Sequence, residues 1–132
     1  MADPGLERGL ARAAELFNAR EYHAAHEVLD ELWERAGQAD SDFLKGLIQA
    51  CIALHHASRG NPAGARKLYS GHRQYLGRYL PRHRGLDVAA FLGAMQSCLA
   101  PILRAPPGAE PPFEAAAAPR LEFAAAGGEE EP

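Results

Sequence analysis

With 132 residues, 47% of them apolar and 23% charged, the chain can form one domain whose core needs no disulfide or metal staple, and it is too rich in leucine, isoleucine and aromatics to stay disordered. No apolar run approaches the roughly 18 residues of a membrane span. Asp3, Pro4, Glu7 and Arg8 interrupt any signal segment at the start, so a cytoplasmic setting with no membrane partner is expected.

The net charge of −3 hides a segregation. Ten acids face four bases up to Asp42, no acid occurs between Asp42 and Asp87 while eight bases accumulate from Lys45 to Arg84, and seven acids face two bases thereafter. Internal pairing of the early acids with the middle bases is expected, because the halves of a small bundle lie close together. The alternative is a basic face that meets an anion.

Asp3 and Pro4 set a cap with proline at the first helical position, and Leu6, Leu10, Ala13 and Phe17 follow at helical spacing, which predicts a first helix ending near Asn18. A second is expected from around Arg20 to Gly37, with Tyr22, Ala25, His26, Leu29, Leu32 and Trp33 inward and Glu27, Glu31 and Glu34 outward. Asp40 or Ser41 caps a third, whose inner stripe is Leu44, Leu47, Ile48, Cys51, Leu54 and His55. Gly60, Asn61 and Pro62 read as a closing glycine, a cap and a first-turn proline, so a fourth helix starts at once and buries Leu68, Tyr69, Tyr75 and Leu76. Pro81 ends it, Arg82 to Gly85 form a loop, and Asp87 caps a fifth helix carrying Phe91, Leu92, Met95, Leu99 and Ile102.

No strand alternation or hairpin signal occurs. The fold class is therefore all-α: a compact bundle of about five helices in antiparallel hairpins with tetratricopeptide-like pairing, occupying residues 1–104. Residues 105–132 turn to Pro, Ala, Gly and Glu and are expected to be disordered, with Leu121 and Phe123 as a short apolar patch able to dock. Cys51 and Cys98 lie in apolar helical patterns and read as buried, reduced thiols. Gly46 and Gly64 sit inside helices, which implies close helix–helix approach.

His23, His26, Glu27 and Asp30 are spaced i, i+3, i+4 and i+7, on one flank of the second helix beside its apolar stripe. His26 and Asp30 are the pair expected to face a helix–helix groove. An imidazole and a carboxylate four residues apart can hold a divalent metal if a neighbouring helix supplies a third ligand. They can equally bond each other, the carboxylate fixing the tautomer and raising the ring's basicity. The zinc-protease pattern is absent, because Asp30 stands where the second histidine would be. On the third helix His55 falls in the stripe, while Gln49 and His56 share the adjoining flank; antiparallel packing would turn these toward His26. The competing reading makes all of them ordinary polar contacts between helices. Tyr69, His72, Arg73 and Tyr75 mix aromatic and basic character without a nucleic-acid motif, so nucleic acid is not the expected partner. No phosphate loop, nucleophile elbow or cysteine nucleophile is present, and no reaction is assigned.

Four separated blocks match in order: Phe17-Asn18 through Tyr22, His26 through Trp33, Gly46-Leu47-Ile48-Gln49, and Gly60-Asn61 with Gly64-Ala65. Over roughly Leu10 to Leu80 the chain thereby resembles the bacterial and archaeal family catalogued as domain of unknown function 309. Its signature of His, three residues, Glu, two residues and Trp falls on His26, Asp30 and Trp33, with Asp30 where the family pattern has Glu. The resemblance implies a compact helical fold and a motif suspected of binding metal, and carries no established activity. Trp33 is expected to pack in the core, or else to wall the groove.

These readings predict a groove lined by His26, Glu27, Asp30, Trp33, Gln49, His55 and His56. It would take a divalent metal ion, on His26, Asp30 and His56, or a small polar ligand. The alternative is a non-catalytic helical interaction module that holds an acidic protein or nucleic acid through the basic middle segment. Apolar residues on the outer helices leave a homodimer open.

Overall fold

A computed structural model describes residues 4–109 and 111–124. The helix ends follow local chemistry. α1 (Pro4–Asn18) and α2 (Tyr22–Arg35) are joined through Arg20 at φ 65°, and α3 (Gln38–Ser58) and α4 (Pro62–Leu76) through Gly60 at φ 76°. Asn61 Oδ1 accepts the Gly64 N–H at 3.1 Å, and Asp87 Oδ1 accepts the Ala90 N–H at 2.9 Å to start α5 (Val88–Arg104). The expected cap at Asp3 lies outside the described residues.

α3 is buried on most of its circumference, from Phe43 and Leu44 through Leu47, Ile48 and Cys51 to Leu54 and Ala57, so it takes the centre with α2 on one side and α4 on the other. α1 packs on α2, and α5 lies against α4 and reaches α3. Gly46 sets the α3–α4 spacing: a Cβ there would stand 2.7 Å from Leu76 Cγ and 3.0 Å from the Leu76 nitrogen. The backbones approach because that methyl is missing. His72 of α4 is fully enclosed in the same seam, its Nδ1–H donating to the Gly46 carbonyl at 3.1 Å.

Two expectations are corrected around α3. Asp40 does not cap it. The helix starts at Gln38 after Gly37, and the Asp40 carboxylate, 6% exposed, turns inward to receive Arg84 through two bonds of 3.0 and 2.7 Å and His83 Nε2 at 2.8 Å. A charged partner forty residues away outcompetes the local N–H groups. The expected loop from Arg82 to Gly85 is part of a hairpin. β1 (Arg82–His83) and β2 (Leu86–Asp87) pair antiparallel, with Arg82 opposite Asp87 and His83 opposite Leu86. Arg84 at φ 51° and Gly85 at φ 82° make the primed turn that such a hairpin needs.

Pairing between early acids and middle bases is seen at the start of α3, where Asp40 meets Arg84 and Asp42 meets Arg78. Among the described residues, Glu31 and Glu34 on the outer face of α2 have no ion-pair partner. After Arg104 the chain makes a single 3-10 turn, Ala115–Ala117, and then returns to the body with Leu121 buried. Glu110 and residues 125–132 of the expected tail lie outside the described residues. No described helix is long and apolar enough to cross a membrane.

Candidate functional site

The i, i+4 spacing on α2 produces two parallel imidazole–carboxylate contacts on one flank: His23 Nε2 to Glu27 Oε2 at 3.3 Å, and His26 Nε2 to Asp30 Oδ2 at 3.1 Å. The outer pair, His23 and Glu27, is well exposed, whereas His26 is shielded by the α3 side of the seam with 22% of its side chain open. The other His26 nitrogen, Nδ1, lies 3.3 Å from the His23 carbonyl oxygen. Both ring nitrogens of His26 therefore face oxygen acceptors; a neutral ring satisfies one of them and an imidazolium both.

From α3, His55 completes the cluster. Its ring centre lies 5.7 Å from that of His23, which in turn lies 5.3 Å from that of His26. Tyr22, His23, His26, Ile52 and His55 enclose a notch of about 140 Å³. Burial and the positive charge of Arg59 and the neighbouring rings hold the His55 pKa below the ordinary histidine value, so this ring stays neutral at neutral pH with a nitrogen lone pair to offer. Among the described residues, no three His, Cys, Asp or Glu side chains stand together as a preformed metal cage.

The other expected groove residues point elsewhere. His56 Nδ1 meets Asn61 Nδ2 at 3.1 Å and its ring lies over Gly64 at the start of α4. Gln49 also faces α4, with its amide filling the space where a Gly71 side chain would be. The α3 flank shared by these two residues thus serves the α4 seam rather than the α2 notch. Trp33 is 37% exposed and is not core. Its Nε1–H donates to Ser41 Oγ at 3.1 Å, and the Lys45 ammonium sits 5.2 Å from the ring centre, so the indole pins the α2–α3 corner from outside.

Two clusters were absent from the sequence expectation. The clasp of Asp40 with His83 and Arg84 is walled by Phe43 and Tyr79, whose ring centres lie 4.6 and 4.5 Å from that of His83. Arg84, foremost, holds the Asp40 pKa below the usual carboxylate value. His72 is the second: burial pushes its pKa down to about 4, and its Nε2 has no hydrogen-bond partner among the described residues. Of the expected inner face of α4, Tyr69 and Leu76 are buried but Leu68 and Tyr75 only half-buried; Ala65 and His72, at i and i+7 of the series Ala65, Tyr69, His72 and Leu76, complete the buried stripe.

Residues 10–68 match the family model of a domain of unknown function (DUF309). The DUF309 segment contains the His23–His26–His55 notch, Asp30 and Trp33, and ends within α4. The chain is similar to the uncharacterized protein YpuF of Bacillus subtilis (strain 168), at 35% identity over 89 residues that cover 63% of the chain and 49% of the relative. It is also similar to an uncharacterized protein of Aquifex aeolicus (strain VF5), at 38% identity over 65 residues, 41% of the chain and 19% of the relative. The chain thus spans about half of the first relative and a smaller share of the second.

Proposed function

We propose that this chain binds a small ligand in the α2–α3 notch through imidazole nitrogens, and that a divalent metal ion is the ligand best matched to it. The spacing of His23 from each of the other two rings carries the reading. Tetrahedral zinc with nitrogen at about 2.1 Å puts ligating ring centres roughly 5 Å apart, and the His23–His26 and His23–His55 separations are 5.3 and 5.7 Å. His55 would offer its neutral ring as it stands. His23 and His26 would have to turn one nitrogen from Glu27 and Asp30 toward the metal, which leaves each carboxylate to orient its ring from the other side. His56 and Gln49, held toward α4, are not part of this set.

Tag-free protein titrated with zinc or nickel tests the proposal by thermal melting. A ligand at a hundredfold its dissociation constant stabilises the native state by about 2.7 kcal/mol, so a rise in Tm that His26→Ala and His55→Ala each abolish is expected. An unchanged Tm at millimolar metal overturns the metal reading.

A second reading, a module that holds an acidic protein or nucleic acid, is favoured by one observation. Among the described residues, Arg66, Lys67 and Arg73 of α4 have no carboxylate partner, while Lys45 lies between Trp33 and Tyr75 at 5.2 and 5.5 Å. Polyanion binding that weakens steeply with salt and persists in His26→Ala supports the module instead of the notch.

A further inference from the structure

Residues 119–124 lie as a ribbon against the end of α1 and the β1–β2 turn. Pro119 and Leu121 are buried and Phe123 half-buried, while Arg120 and Glu122 point outward and pair with each other at 2.9 Å. This is the period-2 alternation of a strand with one face covered. Among the described residues, no neighbouring strand supplies its main-chain partners. The side-chain amide of Asn18, at the end of α1, does so instead: Oδ1 accepts the Leu121 N–H at 2.8 Å and Nδ2 donates to the Leu121 carbonyl at 3.0 Å. The Ala124 N–H adds a bond to the Gly85 carbonyl at 2.9 Å. Gly85 makes that approach feasible, since a Cβ there would stand 2.8 Å from the Ala124 oxygen.

Such contacts read the backbone of one residue from both sides and leave its identity to the pocket beneath. Here the pocket takes leucine, 1% exposed. The tether to this anchor is of a different character. None of the described residues between Arg104 and Pro119 is buried, and the sequence there carries four prolines. Phe113 packs partly against the core, and Pro111, Pro112 and Phe113 border a hollow with Ala57, Gly60 and Ile102, so the intervening segment is half-buried at most and holds the ribbon near its groove at a high effective concentration. Beside the ribbon, a cleft of about 260 Å³ bounded by Leu86, Ala90, Phe91 and Ala94 remains open.

We propose that the groove between Asn18, the β1–β2 turn and α5 is a docking site for an extended peptide with a buried leucine between two outward polar residues, and that residues 119–124 are its occupant in cis. The site is independent of the histidine notch. Asn18 belongs to the DUF309 segment, whereas the ribbon lies beyond it.

The test uses the full chain with a fluorescent peptide of residues 117–124, read by anisotropy. In wild type the attached ribbon competes, so weak binding is expected. Leu121→Ser vacates the pocket and should bind the peptide about tenfold or more tightly than wild type. Adding Asn18→Ala to that variant, or replacing the peptide's leucine by serine, should remove the gain. Folded Leu121→Ser that binds no better than wild type overturns the proposal, as does binding that survives both controls. Loss of the helical circular dichroism signal in Leu121→Ser also overturns it, because a segment whose loosening unfolds the body is core and not a docked ligand.

Discussion

Along one side of α3, against α4, His72 is sealed from water with a carbonyl on one nitrogen and, among the described residues, no hydrogen-bond partner on the other. Along the other side, against α2, His23, His26 and His55 gather at a rim that solvent reaches, each α2 ring backed by a carboxylate. The same side chain therefore does opposite work on the two faces of one helix. Where backbones close to the distance set by Gly46, an imidazole is a buried spacer; where a notch remains, it meets solvent beside a carboxylate.

The closed seam should break hardest. Gly46→Val forces a side chain into Leu76 and its backbone, and a loss of about 3 kcal/mol is expected in urea unfolding, in the range of overpacked cores. Acid should find the same seam next. The folded-state His72 pKa of about 4 lies below the ordinary 6.5, so the unfolded chain takes up protons first as pH falls. The contribution of His72 is complete above pH 6.5 and declines toward pH 4, by about 3 kcal/mol at 1.36 kcal/mol per unit. His72→Asn should flatten this part of the stability profile; an unchanged slope would place the titration elsewhere.

The Asp40 clasp is intermediate. Asp40→Asn leaves Arg84 without its carboxylate and should cost about 2 kcal/mol by chemical denaturation. Because the folded-state Asp40 pKa is lowered, its contribution is present above the unfolded value of 3.8 and is lost as pH falls through the folded one. The open rim should respond least in stability. His26→Gln is expected to shift it by under about 0.5 kcal/mol while abolishing any metal-induced rise in Tm. A large stability loss there would erase the contrast between the seams and return His26 to the role of a structural contact.

Much of this was legible because it is local. Gly60-Asn61-Pro62 and Asp87 announced their helix boundaries through chemistry confined to four residues, and the His26–Asp30 pair followed from helical spacing alone. What escaped depends on partners far along the chain. Asp40 has the sequence appearance of a cap and becomes a clasp only because the hairpin delivers Arg84 to it. Gln49 and His56 were expected beside His26, but which flank of α3 meets which neighbour is decided by the close α3–α4 approach at Gly46 and Gly64. Trp33 shows the same limit: its position fits an apolar stripe, yet at the last turn of α2 the stripe has run past the core and the indole finds Ser41 and Lys45.

The placement of Trp33 also gives the molecule a built-in optical gauge. It is the one indole in the sequence, and its fluorescence originates at the corner between α2 and α3, with an ammonium group 5.2 Å from the ring. Emission will therefore report the opening of that corner, so an experimenter can watch the seam that carries the histidine notch loosen without attaching any dye.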